Sequence, residues 1–119
     1  MKQPTKQQNY LKKLVSSARA IITNQVALPL GIHKMLKIVF WINQIEPLTI
    51  DLIQVNEYYR QIMNYPLGSD RLLWNRTKLI QLDAELEEVT RHYRHELLLK
   101  CFEIIDLYPE MTTEELIID

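Results

Sequence analysis

The chain of 119 residues is 47% hydrophobic and 24% charged, with a formal net charge of −1, two glycines, five prolines and one cysteine. That length predicts one domain over 1–119, burying roughly 65% of its unfolded surface around a single core, and the apolar fraction excludes a disordered chain. So little glycine argues against sandwiches, barrels and glycine-rich phosphate loops, while a lone cysteine excludes an internal disulfide or a cysteine-based zinc site.

Tyr10, Leu11, Leu14, Val15, Ala18, Ile21, Ile22 and Val26 recur at helical spacing, which predicts a first helix over about 6–24 with Thr5 as its N-cap. Pro29 suits the first turn of a second helix running to about 45, where its missing amide donor goes unneeded. The apolar residues of that helix (Leu30, Met35, Leu36, Ile38, Val39, Phe40, Trp41 and Ile42) wrap nearly all round it and predict a central, buried helix. Glu46-Pro47 breaks the chain. The segment 49–63 reads as a third helix, although β-branched Ile50, Ile53 and Val55 keep a strand open. A loop comes next over 64–69, with Ser69 or Asp70 placed to cap a short turn holding Arg71, Leu72, Leu73 and Trp74.

From Asn75 the apolar residues Leu79, Leu82, Leu86, Val89, Tyr93, Leu97, Cys101, Ile104 and Tyr108 step by three or four without a breaker. They predict a long helix of about 75–108, some 45–50 Å in length, either continuous or bent near Arg91–Arg94 and ended by Pro109. Thr112-x-x-Glu115 is a capping-box pattern, so a short terminal helix docked by Leu116 and Ile117 is expected. The fold class is therefore all-α: a single-domain bundle of about four main helices plus a short terminal one.

No signal-peptide pattern opens the sequence, and the greasiest stretch, Val26 to Ile42, is interrupted by Pro29, Gly31, His33, Lys34 and Lys37. A spanning helix needs about 20 mostly apolar residues. No membrane span is predicted, and the reducing cytoplasm is the expected address of a chain with one free thiol. Charge is segregated. Residues 1–45 hold seven lysines and arginines and no acid, whereas residues 83–119 hold eleven acids against three bases. Such asymmetry can steer a partner of opposite sign, or the basic first helix can simply pack beside the acidic last one.

Catalytic equipment is missing from the pattern. Cys101 falls on the apolar stripe of the long helix and reads as a small buried hydrophobe. His92 and His95, with Glu88 and Glu96, share part of one helix face and make a nominal metal-ligand set. Bundle sites, however, draw ligands from several helices, the only other histidine is His33, and Arg91 and Arg94 add repulsive charge. A charge-paired solvent face is the preferred reading, so no metal or other cofactor is expected. The alternating Asp83, Glu85, Glu87 and Glu88 also read as a solvent face rather than an acid–base pair in a dry cleft. Lys2, Lys6, Lys12, Lys13 and Arg19 form a modest basic strip, but Tyr10 is its only aromatic and the pI is near 6.3, so no direct nucleic-acid partner is expected.

The run Tyr65-Pro66-Leu67-Gly68-Ser69-Asp70-Arg71-Leu72-Leu73-Trp74, continued by Leu79, Leu82, Asp83 and Glu85, is distinctive, as is Ser17-Ala18-Arg19-Ala20-Ile21-Ile22 with Leu28-Pro29-Leu30-Gly31 after it. Together they resemble a bacterial family of small helical proteins that share an early Ala-Arg, a Pro-x-Gly-x-x-Arg-x-x-Trp segment (here Pro66, Gly68, Arg71 and Trp74) and an acidic pair soon after. The resemblance implies an immunity protein of contact-dependent growth inhibition or another polymorphic toxin system. The shared residues also have structural uses: positive φ at Gly68, Trp74 plugging the loop onto the core, and Arg19 or Arg71 pairing with Asp83.

Charge gives the immunity reading a physical basis of its own. A nuclease presents cations to phosphates, and an inhibitor offering acids in the same place binds fast and occludes the substrate. The expected function is thus a stoichiometric, non-enzymatic module that neutralises a cognate protein toxin. Its expected contacts are Asp83, Glu87, Glu88, Glu110, Glu114, Glu115 and Asp119. A helical adaptor, homodimeric through exposed parts of the second and last helices, is the alternative.

Overall fold

A computed structural model describes residues 5–109; the expected terminal helix and the acids Glu110, Glu114, Glu115 and Asp119 lie outside the described residues. Four α-helices and one 3₁₀ turn succeed one another along the chain: α1 (Lys6–Ile22), α2 (Leu28–Asn43), α3 (Ile53–Ile62), the 3₁₀ turn (Gly68–Leu73) and α4 (Arg76–Leu107). The described residues contain no strand, which settles 49–63 in favour of helix.

Thr5 caps α1 as expected, through a reciprocal box with Gln8. The helix stops at Ile22 because Asn24 adopts φ +61°, a left-handed residue that lets the Gln25 amide reach back to the Ala20 carbonyl at 2.9 Å. Pro29 sits in the first turn of α2. At the end of that helix, the Asn43 side-chain oxygen accepts from the Leu48 amide at 3.0 Å, and the chain runs without helix to Leu52. The start of α3 is consequently later than the expected 49: Asp51 Oδ1 accepts from the Ile53 amide and forms a turn first.

Expectation and structure part over α2. It buries a single stripe (Gly31, Ile32, Met35, Val39 and Ile42) while Phe40 is 62% and Trp41 37% exposed. α2 packs chiefly on α1, whereas α1 is wedged between α2 and α4 and α3 lies along α4. The central elements are thus α1 and α4. Close packing of α2 on α1 depends on Gly31, since a Cβ there would lie 2.5 Å from Ile21 Cγ1 and 3.1 Å from Val26 Cγ1.

α4 is one uninterrupted helix of 32 residues, about 48 Å long, and no bend divides it into two elements. Asn75 caps its start by accepting from the Lys78 amide. Leu86, Leu97, Cys101 and Ile104 of the expected stripe are buried. They join Leu14, Ala18, Met35, Tyr58 and Ile62 in one core. None of residues 76–85 is buried, so the first turns of α4 overhang that core.

Thr90 is the one buried polar residue among those described, and its hydroxyl meets Tyr58 Oη at 2.7 Å, pinning α3 to α4. Tyr58→Phe is expected to cost about 1–3 kcal/mol, because it strands the Thr90 hydroxyl away from water. Urea unfolding of the two single variants and of Tyr58→Phe/Thr90→Val checks this, with the double variant expected to cost less than the sum of the singles.

Candidate partner-binding surfaces

The three described acids of the expected acidic face each meet an arginine. Asp83 takes a two-pronged hydrogen bond from Arg71 (Nη1–Oδ1 2.8 Å, Nη2–Oδ2 2.7 Å). Those hydrogen bonds hold the Asp83 carboxyl below the usual carboxylate range. Glu87 pairs with Arg94 at 3.2 Å and Glu88 with Arg91 at 3.3 Å. Asp83 and Glu87, one helical turn apart, both line a shallow groove of about 330 Å³ closed by Pro29, Leu67 and Gly68. Glu88 pairs separately with Arg91, one turn further on. These three acids are therefore close to neutralised, and of the two partners expected for Asp83, Arg19 or Arg71, it is Arg71 that the structure shows in a two-pronged bond.

The Arg71–Asp83 pair has a mechanical consequence. Gly68 takes φ +74°, the conformation that glycine adopts without strain, and turns the chain into the 3₁₀ element. Arg71 then ties that element to α4 and also donates to the Pro66 carbonyl at 3.4 Å. Pro66 is buried and Leu67 half-buried, so the loop is anchored at its base. Beyond the anchor, its apolar residues point away from the core. Leu72 and Leu73 are each 88% exposed, Trp74 is 41% exposed, and Ile80 in the second turn of α4 is 72% exposed. At 41% exposure more than half of Trp74 is covered, and the Arg71–Asp83 strut ties the loop to α4. Arg76 and Lys78 flank the patch in the first turn of α4, both exposed.

His92 and His95 are exposed on α4, His92 standing edge-on to Tyr93 at 5.4 Å. His33 is stacked on Tyr59 at 5.7 Å. No group of three or more histidine, cysteine, aspartate or glutamate side chains converges on a metal-sized site among the described residues. Nor is any described helix long and apolar enough to cross a membrane.

Cys101 is 1% exposed, and burial pushes its thiol up to about 11. Burial raises Tyr58 and Tyr108 in the same direction. An acid held above its unfolded pKa contributes stability that is present below the unfolded value and lost as pH climbs to the folded one. For Cys101 that window runs from 9.0 to about 11. Urea midpoints should thus fall between pH 9 and pH 11, less steeply in Cys101→Ala, and native Cys101 should resist alkylation until the chain is unfolded.

Sequence reasoning missed the contribution of Leu72 and Leu73. Two adjacent leucines before a tryptophan look like core, and their neighbours alone give no reason for both to face outward. The class defined by this arrangement is an all-α module with an exposed, braced apolar loop. No protein-family profile, curated protein or solved structure matches the chain.

Proposed function

We propose that this chain is a stoichiometric protein-binding module of the immunity type, which captures a cognate toxin through the Leu72–Trp74 loop and the first turns of α4. The observation that carries the reading is the exposure of Leu72 and Leu73 on a loop tied to α4 at its base, with Trp74 next along the chain and Ile80 exposed in the second turn of α4. An exposed apolar cluster rimmed by polar residues marks an interaction surface, and a preformed loop avoids an ordering cost on binding. The segment that resembles the immunity family, Pro66 to Trp74, is the same one that projects, and this supports the toxin as the occupant.

The acidic-occlusion version of the reading is less well supported, since Asp83, Glu87 and Glu88 are paired with arginines. The partner best matched to this patch offers an apolar pocket with carboxylates placed for Arg76 and Lys78. A nuclease toxin fits if its contact surface lies outside its own cation-rich groove. Co-expression with the product of the gene immediately upstream tests the proposal: a one-to-one complex and protection from toxicity are expected, and free toxin alongside free module overturns it.

The homodimeric adaptor is a second reading, favoured by Leu99 and Phe102, which lie three apart on α4 and are 52% and 50% exposed. Light scattering separates the two. A partner-free dimer that Leu99→Glu/Phe102→Glu converts to monomer selects the adaptor.

A further inference from the structure

The basic first helix and Trp41, unrelated in sequence, meet in the fold. Lys13, Ser16 and Ser17 of α1 and Lys34, Lys37 and Trp41 of α2 line one open groove of about 360 Å³. The Tyr10 and Trp41 rings lie 5.7 Å apart at its end. Lys37 Nζ is 6.0 Å from the Trp41 ring centre and Lys13 Nζ 6.0 Å from that of Tyr10. Lys13, Lys34 and Lys37 are exposed, and none forms an ion pair among the described residues. Residues 1–45 contain no acid, and the next residue, Glu46, accepts from the Gln7 side chain on α1 at 3.2 Å. Local field, rather than the net charge of −1, decides what such a groove attracts.

We propose that this groove binds a short single-stranded nucleic-acid segment, with one base stacked at Trp41 and neighbouring phosphates on Lys13, Lys34 and Lys37. Cations that track a backbone beside an aromatic stacking platform are the shared chemistry of sequence-tolerant single-strand binding, and the hydroxyls of Ser16 and Ser17 add phosphate donors. The lysines already sit against both rings, so an incoming base exchanges one cation–π contact for stacking while the ammonium moves to phosphate. An acidic protein would match the charge but leave Trp41 unused. A lipid surface calls for apolar residues that protrude, whereas Trp41 lies in the groove wall with 37% of its surface exposed. The absence of interleaved aromatics from the linear strip is answered by the fold, which brings Trp41 in from α2.

The test is fluorescence anisotropy of the intact protein with labelled oligothymidylate and oligouridylate dodecamers, at low and at physiological salt. A duplex of the same length, polyglutamate and phosphatidylserine vesicles serve as the other arms. Both single strands should bind in the roughly 1–100 μM range, with a log–log salt slope of about −2 for three phosphates. Trp41→Ala should weaken binding roughly 5- to 100-fold at nearly unchanged salt slope. Lys34→Ser/Lys37→Ser should flatten the slope by about 1.4. Circular dichroism reports folding, and the lysine variant carries the test alone should Trp41→Ala not fold. The proposal is overturned by no anisotropy change with either strand, by equal or tighter binding of the duplex, polyglutamate or vesicles, or by unaltered affinity in Trp41→Ala.

Discussion

A chain carrying Leu72→Glu and Leu73→Glu together should lose its protein partner by at least about a hundredfold and still unfold at the wild-type temperature. The two halves of that outcome have separate causes. Side chains that are 88% exposed contribute almost nothing to the folded monomer, and substitutions at such positions usually stay within about 0.5 kcal/mol. In a complex, the same side chains would be the buried centre. A central apolar anchor is worth about 2 kcal/mol or more when removed, so two anchors together exceed a hundredfold even with imperfect additivity. Calorimetric titration against the upstream gene product, beside a thermal melt of the free variant, measures both. Wild-type affinity in the double variant would remove the loop from the interface. Glu87→Gln/Glu88→Gln is the contrasting variant, because it alters two expected acid contacts without touching the loop or its strut. It should change affinity only a few-fold, as rim charges do.

Gly31→Val should destabilise the protein more than any surface change, lowering the melting temperature by roughly 10 °C or more for an overpacking cost of about 3 kcal/mol. Even a bare Cβ at residue 31 would stand 2.5 Å from Ile21 Cγ1 and 3.1 Å from Val26 Cγ1, and Ile21, at 3% exposure, has little room to retreat. Gly31→Ala sets two effects against each other. Alanine is favoured over glycine in a helix by about 1 kcal/mol, yet its methyl group must push α2 off α1. Net destabilisation in urea unfolding is expected. A more stable Gly31→Ala protein would show that the α1–α2 contact yields cheaply, and the close-packing account would fail with it.

The legibility of the fold varies with the range of the forces involved. Thr5, Pro29, Gly68, Asn75 and Pro109 act within a few residues, and each does in the structure what its chemistry prescribes. The stripe along α4 is equally plain, because a period of three to four sustained over so many residues has only one buried face. By contrast, α1 ends two residues short of its expected limit, since the left-handed geometry of Asn24 depends on how the chain turns into α2. α2 departs further from expectation. A helix apolar on most sides looks central, whereas Phe40, 62% exposed, shows that one side of it faces outward. The acids Asp83, Glu87 and Glu88 are visible as residues, but their arginine partners lie twelve, seven and three positions away. Only the last of those pairings can be picked out from helical spacing alone.

By itself, the sequence determined that this protein is helical, where most of its helices begin and end, and that the last of them is long, because capping, proline geometry and apolar periodicity are local. Tertiary structure alone decided which apolar residues stay outside and which of the pairings open to the sequence form, Arg71 being the one of Asp83's two candidates seen to hold it. Leu72 and Leu73 are turned outward by a strut between Arg71 and Asp83, and Trp41 reaches Tyr10 and Lys13 only because α2 folds back along α1. Such pairings join residues distant along the chain, and no local propensity encodes them.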